Sequence, residues 1–168
     1  SNNWKVIGID AMTDYYDVNL KKARLKLLEC NRNYQNYIGN IQDEKLLNYI
    51  FENYQPNIII HLAAQAGVRY SIDNPKSYVE SNLSGTFYIL EIAKKYKIDH
   101  LLIASTSSVY GNSKDMPFDE KKKCDNQMSF YAASKKSNKV MSHTYSHLFN
   151  IPTTIFRFLT VYLPWGRP

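Results

Sequence analysis

The chain of 168 residues carries a formal net charge of +6, and 44% of its residues are hydrophobic, so it has the size and composition of one domain with a substantial core. No apolar run approaches the roughly 20 residues that a membrane helix needs, so we expect no membrane partner. The basic run 121–123 raises a nucleic-acid hypothesis, but the other basic residues are spread over several predicted helix faces, and the positive field suits an anionic small molecule equally well.

Apolar runs alternate with helical spacings along the whole chain. We predict strands at 5–10, around 37–38, at 57–61, at 101–104 and at 153–158, and helices at 18–29, 43–54, about 78–96 and around 131. Asp43 is expected to cap the second helix, and Pro56 to end it. A polar loop is expected at 112–128. The alternation predicts an α/β fold with a doubly wound parallel sheet.

Tyr131 and Lys135 stand four residues apart, a spacing that puts both side chains on one face of a helix. A phenol has an ordinary pKa of about 10, and a neighbouring ammonium stabilises the phenolate and lowers that pKa. The pair could therefore act as a base that removes a hydroxyl proton, although two surface residues of one helix would give the same spacing.

Hydroxyl side chains follow the strand predicted at 101–104, in the segment 105–111. Open α/β sheets bind ligands at the carboxyl ends of their strands, so these hydroxyls are candidates for substrate contacts. A turn that satisfies its own backbone is the alternative for Ser108. His61 ends another apolar strand, and we interpret it as a packed neutral histidine.

Together, the segments 61–71, 105–111, 131–135, 143–147 and 157–162 resemble the extended short-chain dehydrogenase/reductase family, which includes NAD-dependent sugar-nucleotide epimerases and dehydratases. They are most similar to its UDP-glucuronate 4-epimerase branch. The resemblance spans nearly the whole chain. It implies a Rossmann NAD-binding fold, NAD as cofactor, a UDP-sugar substrate, and a homodimer of the full-length enzyme.

The resemblance also implies roles for single residues. It places Thr106, Tyr131 and Lys135 in catalysis. Implied cofactor contacts are Asp10, Asn40, Ile41, Leu62, Ala63, Ala64, Gln65, Lys135 and Phe158. Implied substrate contacts are Arg69, Ser107, Ser108, Tyr131, Thr160 and Arg167. Asn82 is implied to support the site structurally, and Arg157 is a weaker candidate than Arg167 for an anion.

Two positions depart from the family pattern: Asn40 stands where many relatives carry an aspartate, and Leu163 replaces an expected glycine. Asp10 fits the acid that dinucleotide folds place on the cofactor ribose, yet no glycine-rich turn precedes it. We therefore expect 1–168 to be a partial NAD-binding domain that lacks its central strand, with a substrate-binding region starting near 160–168. The gap should leave two strand edges unpaired.

The resemblance implies epimerisation of UDP-glucuronate through a 4-keto intermediate, with two alternatives open. Another sugar-nucleotide epimerase or a 4,6-dehydratase of the same family is one, although Ser107 and Ser108 stand where dehydratases commonly carry an acidic pair. A non-catalytic remnant or binding module is the other. Cys30 and Cys124 lie far apart without metal-ligand spacing, so we expect no metal site and a cytoplasmic protein with reduced thiols.

Overall fold

A computed structural model describes residues 3–113 and 117–162. The strands are β1 (Val6–Asp10), β2 (Tyr34–Ile38), β3 (Ile58–His61), β4 (His100–Thr106) and β5 (Thr153–Phe158). The helices are α1 (Val18–Glu29), α2 (Glu44–Tyr54), α3 (Tyr70–Asp73), α4 (Pro75–Tyr78), α5 (Gly85–Tyr96) and α6 (Phe130–Phe149). The alternation of strands and helices confirms the predicted α/β class.

Capping side chains begin three of these helices, and Asp17 caps α1 by accepting a hydrogen bond from the backbone N–H of Asn19. Asp43 accepts a hydrogen bond from the backbone N–H of Leu46, which confirms the predicted N-cap of α2. Ser129 caps α6 in the same way, by accepting from the N–H of Ala132 at 3.1 Å. Gln55, in the left-handed conformation with φ 46°, ends α2 just before Pro56. The boundaries of these helices are therefore encoded locally.

The five strands form two separate parallel sheets. β1 pairs with β2, whereas β3, β4 and β5 pair in that order. Within residues 3–113 and 117–162, no strand pairs with the second edge of β1 or of β3. This arrangement confirms the expected unpaired edges. The apolar side chain of Ile60 on β3 is 65% exposed, and that of Val6 on β1 is 48% exposed.

One hydrophobic core joins the two sheets. Its centre is built from α2, α5 and β4, where Leu47, Leu90 and Leu101 are completely buried. Ile7 and Ile9 of β1 pack against the rim of the same cluster. The sheet pair β1–β2 is thus held to the rest of the chain by the helices.

Helix α1 forms at the predicted residues but buries little apolar surface. Among its twelve residues, all of them described, only Lys21 is buried, and its ammonium donates to the carbonyl oxygen of Thr13 at 2.7 Å. Leu27 and Leu28, in the last turn of this helix, are 58% and 50% exposed. In the described part of the chain, no helix has the length and apolarity to cross a membrane.

The predicted long helix from about 78 to 96 is interrupted. A π-helical segment, Val79–Ser84, separates α4 from α5. Such segments are rare and frequently occur at functional sites. A second irregular element follows β4, where a single 3-10 turn runs from Ser107 to Tyr110. Both elements lie next to the predicted catalytic residues.

Candidate active site

Lys135 lies beneath the carboxyl end of β4. Its side chain is only 3% exposed, and its ammonium donates to the backbone carbonyl of Ala104 at 2.9 Å. Burial disfavours the charged form and lowers the pKa of Lys135 to about 8. The ammonium carries three N–H donors, of which Ala104 takes one. The Lys135 side chain is therefore packed beneath the carboxyl end of β4 and is not exposed on the helix surface.

Tyr131 begins the same helix and lies one turn from Lys135. Its ring is half-buried and meets the ring of Tyr78 edge-on, with centroids 6.0 Å apart. Tyr78 is completely buried, and its hydroxyl donates to the carbonyls of Ala66 and Gly67 at 2.9 and 2.5 Å. Burial raises the pKa of Tyr78 to about 12, so that it stays a neutral donor. Tyr78 thus fixes one side of the Tyr131 ring.

Thr106 ends β4 and is 9% exposed. Its hydroxyl accepts from the N–H of Ser108 at 3.2 Å, which caps the 3-10 turn, and donates to the hydroxyl of Ser108 at 3.3 Å. The local turn therefore uses the Thr106 oxygen to satisfy the backbone N–H of Ser108. Ser107 and Ser108 are half-buried at the same strand end.

His61 ends β3 and is 4% exposed. Its Nε2 lies 3.0 Å from the hydroxyl oxygen of Thr86 on α5. Burial, and secondarily the charge of Lys135, lowers the pKa of His61 to about 3. The imidazole is consequently neutral at physiological pH, in agreement with the packed histidine that the sequence predicts.

Six of the predicted cofactor contacts fall on the ends of β5, β3 and β1. Phe158 of β5 pairs with Thr106 of β4, so both occupy the same end of the sheet. Leu62, Ala63, Ala64 and Gln65 follow β3 directly. Asp10 ends β1 in an exposed position, and one of its carboxylate oxygens accepts from the N–H of Met12 at 2.7 Å.

Asn40 and Ile41 follow β2, on the far side of β1. The Asn40 side chain is exposed, and its oxygen accepts from the N–H of Gln42 at 3.0 Å. Ile41 is 9% exposed and belongs to the hydrophobic core. Any contact of Ile41 with a cofactor would therefore involve its backbone and not its side chain.

The predicted substrate contacts are more scattered. Arg69 is exposed and directly precedes α3, and Thr160 is exposed in the chain that follows β5. Arg167 and Leu163 lie outside the described residues. Arg157, on β5, places its guanidinium 5.0 Å from the ring centroid of Tyr110, and its buried Nη1 has no hydrogen-bond partner among the described residues. The nearby charge of Arg157 contributes to a lowered pKa of Lys139 on α6, where burial is the larger cause.

Sequence reasoning missed two residues of this site. Tyr78 gave no signal beyond an aromatic residue at a helix start, and Ser134 gave none beyond its place inside the Tyr131–Lys135 spacing. Both depend on contacts with segments distant in sequence: Tyr78 with 66–67, and Ser134 with Asn82 at 2.9 Å.

A doubly wound α/β fold with a tyrosine and a buried lysine four residues apart, beside the carboxyl end of a parallel strand, defines the short-chain dehydrogenase/reductase class. The family model described as GDP-mannose 4,6 dehydratase matches residues 1–165. The chain belongs to this family of NAD-dependent epimerases and dehydratases.

Two curated relatives match nearly the whole chain. A probable UDP-glucuronate 4-epimerase of Rhizobium meliloti is 50% identical over 163 residues, which are 97% of this chain and 48% of the relative. Protein CapI of Staphylococcus aureus is 48% identical over 97% of this chain and 48% of the relative. The chain thus spans about half the length of the curated relatives it matches.

A solved structure agrees with the fold. UDP-glucuronic acid 4-epimerase from Bacillus cereus, in complex with UDP-glucuronic acid and NAD, superposes with a TM-score of 0.85 at 33% identity. The match covers 94% of this chain and 49% of that one. The fold of this chain is therefore that of the NAD-binding part of these enzymes.

Proposed function

We propose that this chain forms the cofactor-binding half of an NAD-dependent epimerase that interconverts UDP-glucuronate and UDP-galacturonate. The observation that carries the proposal is the pair Tyr131 and Lys135, with the Lys135 ammonium buried against the Ala104 carbonyl at the carboxyl end of β4. The similarity to the Rhizobium meliloti relative and the Bacillus cereus structure supports the choice of substrate.

The chemistry of the strand ends suits NAD. The exposed carboxylate of Asp10 is an acceptor for ribose hydroxyls, and the Lys135 ammonium is a donor to them. We propose that Asn40, Ile41, Phe158 and the segment 62–65 hold the rest of the cofactor. When bound, NAD would supply the hydride acceptor and donor of an epimerisation at carbon four. The sequence 1–168 contains no glycine-rich turn for the pyrophosphate, so this half would hold NAD weakly by itself.

The proton step falls to Tyr131. As a phenolate it would take the proton of the sugar hydroxyl, and Lys135 would lower the pKa of the phenol by its positive charge. Thr106 would bridge the sugar oxygen and Tyr131, which requires its hydroxyl to exchange its present bond to Ser108 for one to substrate. The neutral imidazole of His61 takes no part in this transfer.

The sugar carboxylate would meet neutral donors. Ser107, Ser108 and Thr160 offer hydroxyl groups, which can solvate an anion without fixing its position by charge. Arg69 and Arg167 are the proposed cationic contacts for the carboxylate or phosphate, since a guanidinium presents paired donors. The 4-keto sugar must rotate so that the hydride returns to its opposite face. Contacts that do not fix the sugar in one position would permit this rotation.

A 4,6-dehydratase is the second candidate, and the description of the matching family model favours it. Dehydration needs acid and base groups that eliminate water, whereas Ser107 and Ser108 carry no carboxyl group. A non-catalytic remnant or binding module is the third candidate. The products distinguish the three: UDP-galacturonate, a dehydrated 4-keto sugar, or none.

We further propose that the complete enzyme is a homodimer that uses α5 and α6. These helices expose Phe87, Val140 and Leu148 by 44, 55 and 61%. Exposed apolar side chains on adjacent helices are typical of a subunit contact. Sedimentation of the complete enzyme as a monomer would refute this part of the proposal.

The test uses a chimera in which this chain replaces the matching 163 residues of the Rhizobium meliloti relative. With NAD and UDP-glucuronate, the chimera should form UDP-galacturonate. Tyr131→Phe keeps the ring but removes the ionisable oxygen, so we expect turnover to fall by about 10² to 10⁴ with Tm nearly unchanged. Product formation is followed by chromatography of the sugar nucleotides.

An inactive chimera would contradict the proposed function, and so would two further outcomes. A dehydrated product would assign the chain to the dehydratases, and near-normal epimerisation by the Tyr131→Phe chimera would remove Tyr131 from its role. Tyr145→Phe is the matched control, because Tyr145 lies on the same helix and its hydroxyl donates to Glu91, away from the strand ends, at 2.6 Å. It should leave turnover within about twofold.

A further inference from the structure

Ser134 lies between the two proposed catalytic residues of α6 and is almost fully buried, at 2% exposure. Its hydroxyl donates to the carbonyl oxygen of Tyr131 at 2.7 Å. The hydroxyl oxygen of Ser134 in turn accepts a hydrogen bond from the side-chain amide of Asn82 at 2.9 Å. Both functions of this hydroxyl are thus used, one within the helix and one toward the π-helical segment.

Asn82 is completely buried, and its amide is fully engaged. Its oxygen accepts from the backbone N–H of Gln65 at 2.8 Å, and its nitrogen donates to the carbonyl of Gln65 at 3.0 Å. The second N–H of this nitrogen is the one that reaches Ser134. The amide therefore binds Gln65 as a neighbouring strand would, at the point where β3 has ended.

These bonds connect two parts of the proposed site that are about 70 residues apart in sequence. Gln65 belongs to the segment proposed to hold the cofactor, and Tyr131 is the proposed base. We propose that Ser134 is a positioning residue, whose hydroxyl locks the Asn82 amide and thereby fixes the backbone of Gln65 relative to Tyr131. For the catalytic consequence, this inference rests on the proposed function.

Removal of the hydroxyl would leave one buried N–H of Asn82 without an acceptor. Buried donors strongly favour a partner, so the amide would turn or shift and release its hold on Gln65. A misplacement of about 1 Å between reacting groups can cost as much as 10²-fold in rate. Substrate binding elsewhere would change little, so the loss should fall on kcat.

The first test measures the coupling of Ser134 to Asn82 and Gln65 directly and does not depend on enzyme activity. Hydrogen exchange of the Gln65 amide is measured in the 168-residue chain and in the chimera for the wild type and for Ser134→Ala, Ser134→Thr and Ser142→Ala. Ser142 is the matched control because it is equally buried on α6, and its hydroxyl donates only to the Asn138 carbonyl of its own helix, at 2.7 Å.

Ser134→Ala should lower the protection of the Gln65 amide against hydrogen exchange at least tenfold, relative to the amides of strands β3 and β4. Ser134→Thr, which keeps the hydroxyl, should restore it, and Ser142→Ala should leave it unchanged. Unchanged protection in Ser134→Ala, or an equal loss in Ser142→Ala, would overturn the inference.

The second test measures kinetics in the chimera. Ser134→Ala should lower kcat at least tenfold while KM for UDP-glucuronate stays within about threefold, and Ser134→Thr should recover most of kcat. A rise of KM alone would also refute the positioning role. If the unsubstituted chimera is inactive, the proposed function fails, whereas the exchange measurement still decides whether Ser134 couples Asn82 and Gln65.

Discussion

His61 and Lys135 are two ionisable side chains that the fold buries within range of each other's charge. The pKa of His61 falls to about 3, from an ordinary value of 6.5, chiefly through burial. At a pH between about 3 and 6.5, His61 of the unfolded chain binds a proton that His61 of the folded chain does not. The stability that His61 contributes is therefore complete above pH 6.5 and is lost as the pH falls toward 3.

We predict that the wild type loses about 2 kcal/mol more unfolding free energy than His61→Gln when the pH falls from 7 to 5. Urea unfolding at both pH values measures this difference. His100→Gln is the control, since the ring of His100 lies in a comparable contact, 2.9 Å from the hydroxyl of Thr154. Parallel losses in the wild type and His61→Gln would contradict the prediction.

Lys139 and Arg157 place two positive charges near each other, while one guanidinium nitrogen of Arg157 has no hydrogen-bond partner within 3–113 and 117–162. Lys139→Glu would replace repulsion by attraction and offer that nitrogen an acceptor. We predict a gain of up to about 1 kcal/mol in unfolding free energy, because the pair is partly exposed to solvent. Thermal unfolding at low and high salt measures the gain and its screening.

The control changes the net charge by the same amount at a neighbouring position. Lys136 donates to Asp125 at 3.0 Å, so Lys136→Glu would set two carboxylates against each other. It should destabilise the chain, whereas Lys139→Glu stabilises it. Equal effects of the two substitutions would mean that net charge, and not the contact with Arg157, decides the outcome.

At the scale of elements, irregular turns set the geometry of the strand ends. Gly111 ends the 3-10 turn with φ +60°, and a Cβ there would overlap the backbone carbonyl oxygen of Asn126. We predict that Gly111→Ala costs more than about 1 kcal/mol and lowers Tm by several degrees. In Gly39→Ala the new Cβ would meet only the movable end of Leu46, so a smaller loss is expected.

Differential scanning calorimetry compares the two alanine variants. An equal or smaller fall in Tm for Gly111→Ala would show that the loop near Asn126 adapts. The same variants placed in the chimera would show whether the 3-10 turn also matters for turnover, since it carries Ser107 and Ser108.

Regular elements could be predicted from the sequence because their signals are local. Asp43 caps α2, the spacing from Val18 to Glu29 forms α1, and β5 occupies its predicted residues. The π-helical segment could not be predicted from local spacing, and Asn82 within it contacts Gln65 and Ser134, which are distant in sequence. Likewise, which face of α1 is buried depends on contacts with other elements, and the spacing of leucines along the helix does not encode those contacts.

The candidate site divides in the same way. The spacing of Tyr131 and Lys135 was visible in the sequence, and the burial of Lys135 agrees with a role at the sheet end. The use of the Thr106 hydroxyl by its own turn and the contact of Tyr78 with Tyr131 were not visible. Both features are contacts that form in the folded chain, whereas a motif gives only the separation of residues along the sequence.

At the scale of the whole molecule, β1 and β3 each have one edge that no described strand pairs with. Exposed strand edges with apolar side chains promote pairing between chains. We predict concentration-dependent association of the isolated chain, which Ile60→Lys should reduce. Leu27→Lys is the control, because Leu27 is similarly exposed but lies on α1, away from both edges. Sedimentation velocity at several concentrations measures the association.

If Leu27→Lys reduces the association as much as Ile60→Lys does, the association is due to nonspecific hydrophobic contacts. A wild-type chain that stays monomeric at all concentrations would refute the role of the edges. In the chimera, both edges should be satisfied and association through them should disappear. Any remaining dimer would then belong to α5 and α6.

The division into two sheets also bears on cooperativity. The unit α1 with β1 and β2 buries little of its own apolar surface and joins the rest through the rim of the core at Ile7 and Ile9. The unit built on α2, β4, α5 and α6 contains the completely buried residues Leu47, Leu90 and Leu101. Unfolding of this chain is therefore expected to proceed in two steps, in which the amino-terminal unit opens at a lower free energy while the half that carries Tyr131 and Lys135 stays folded.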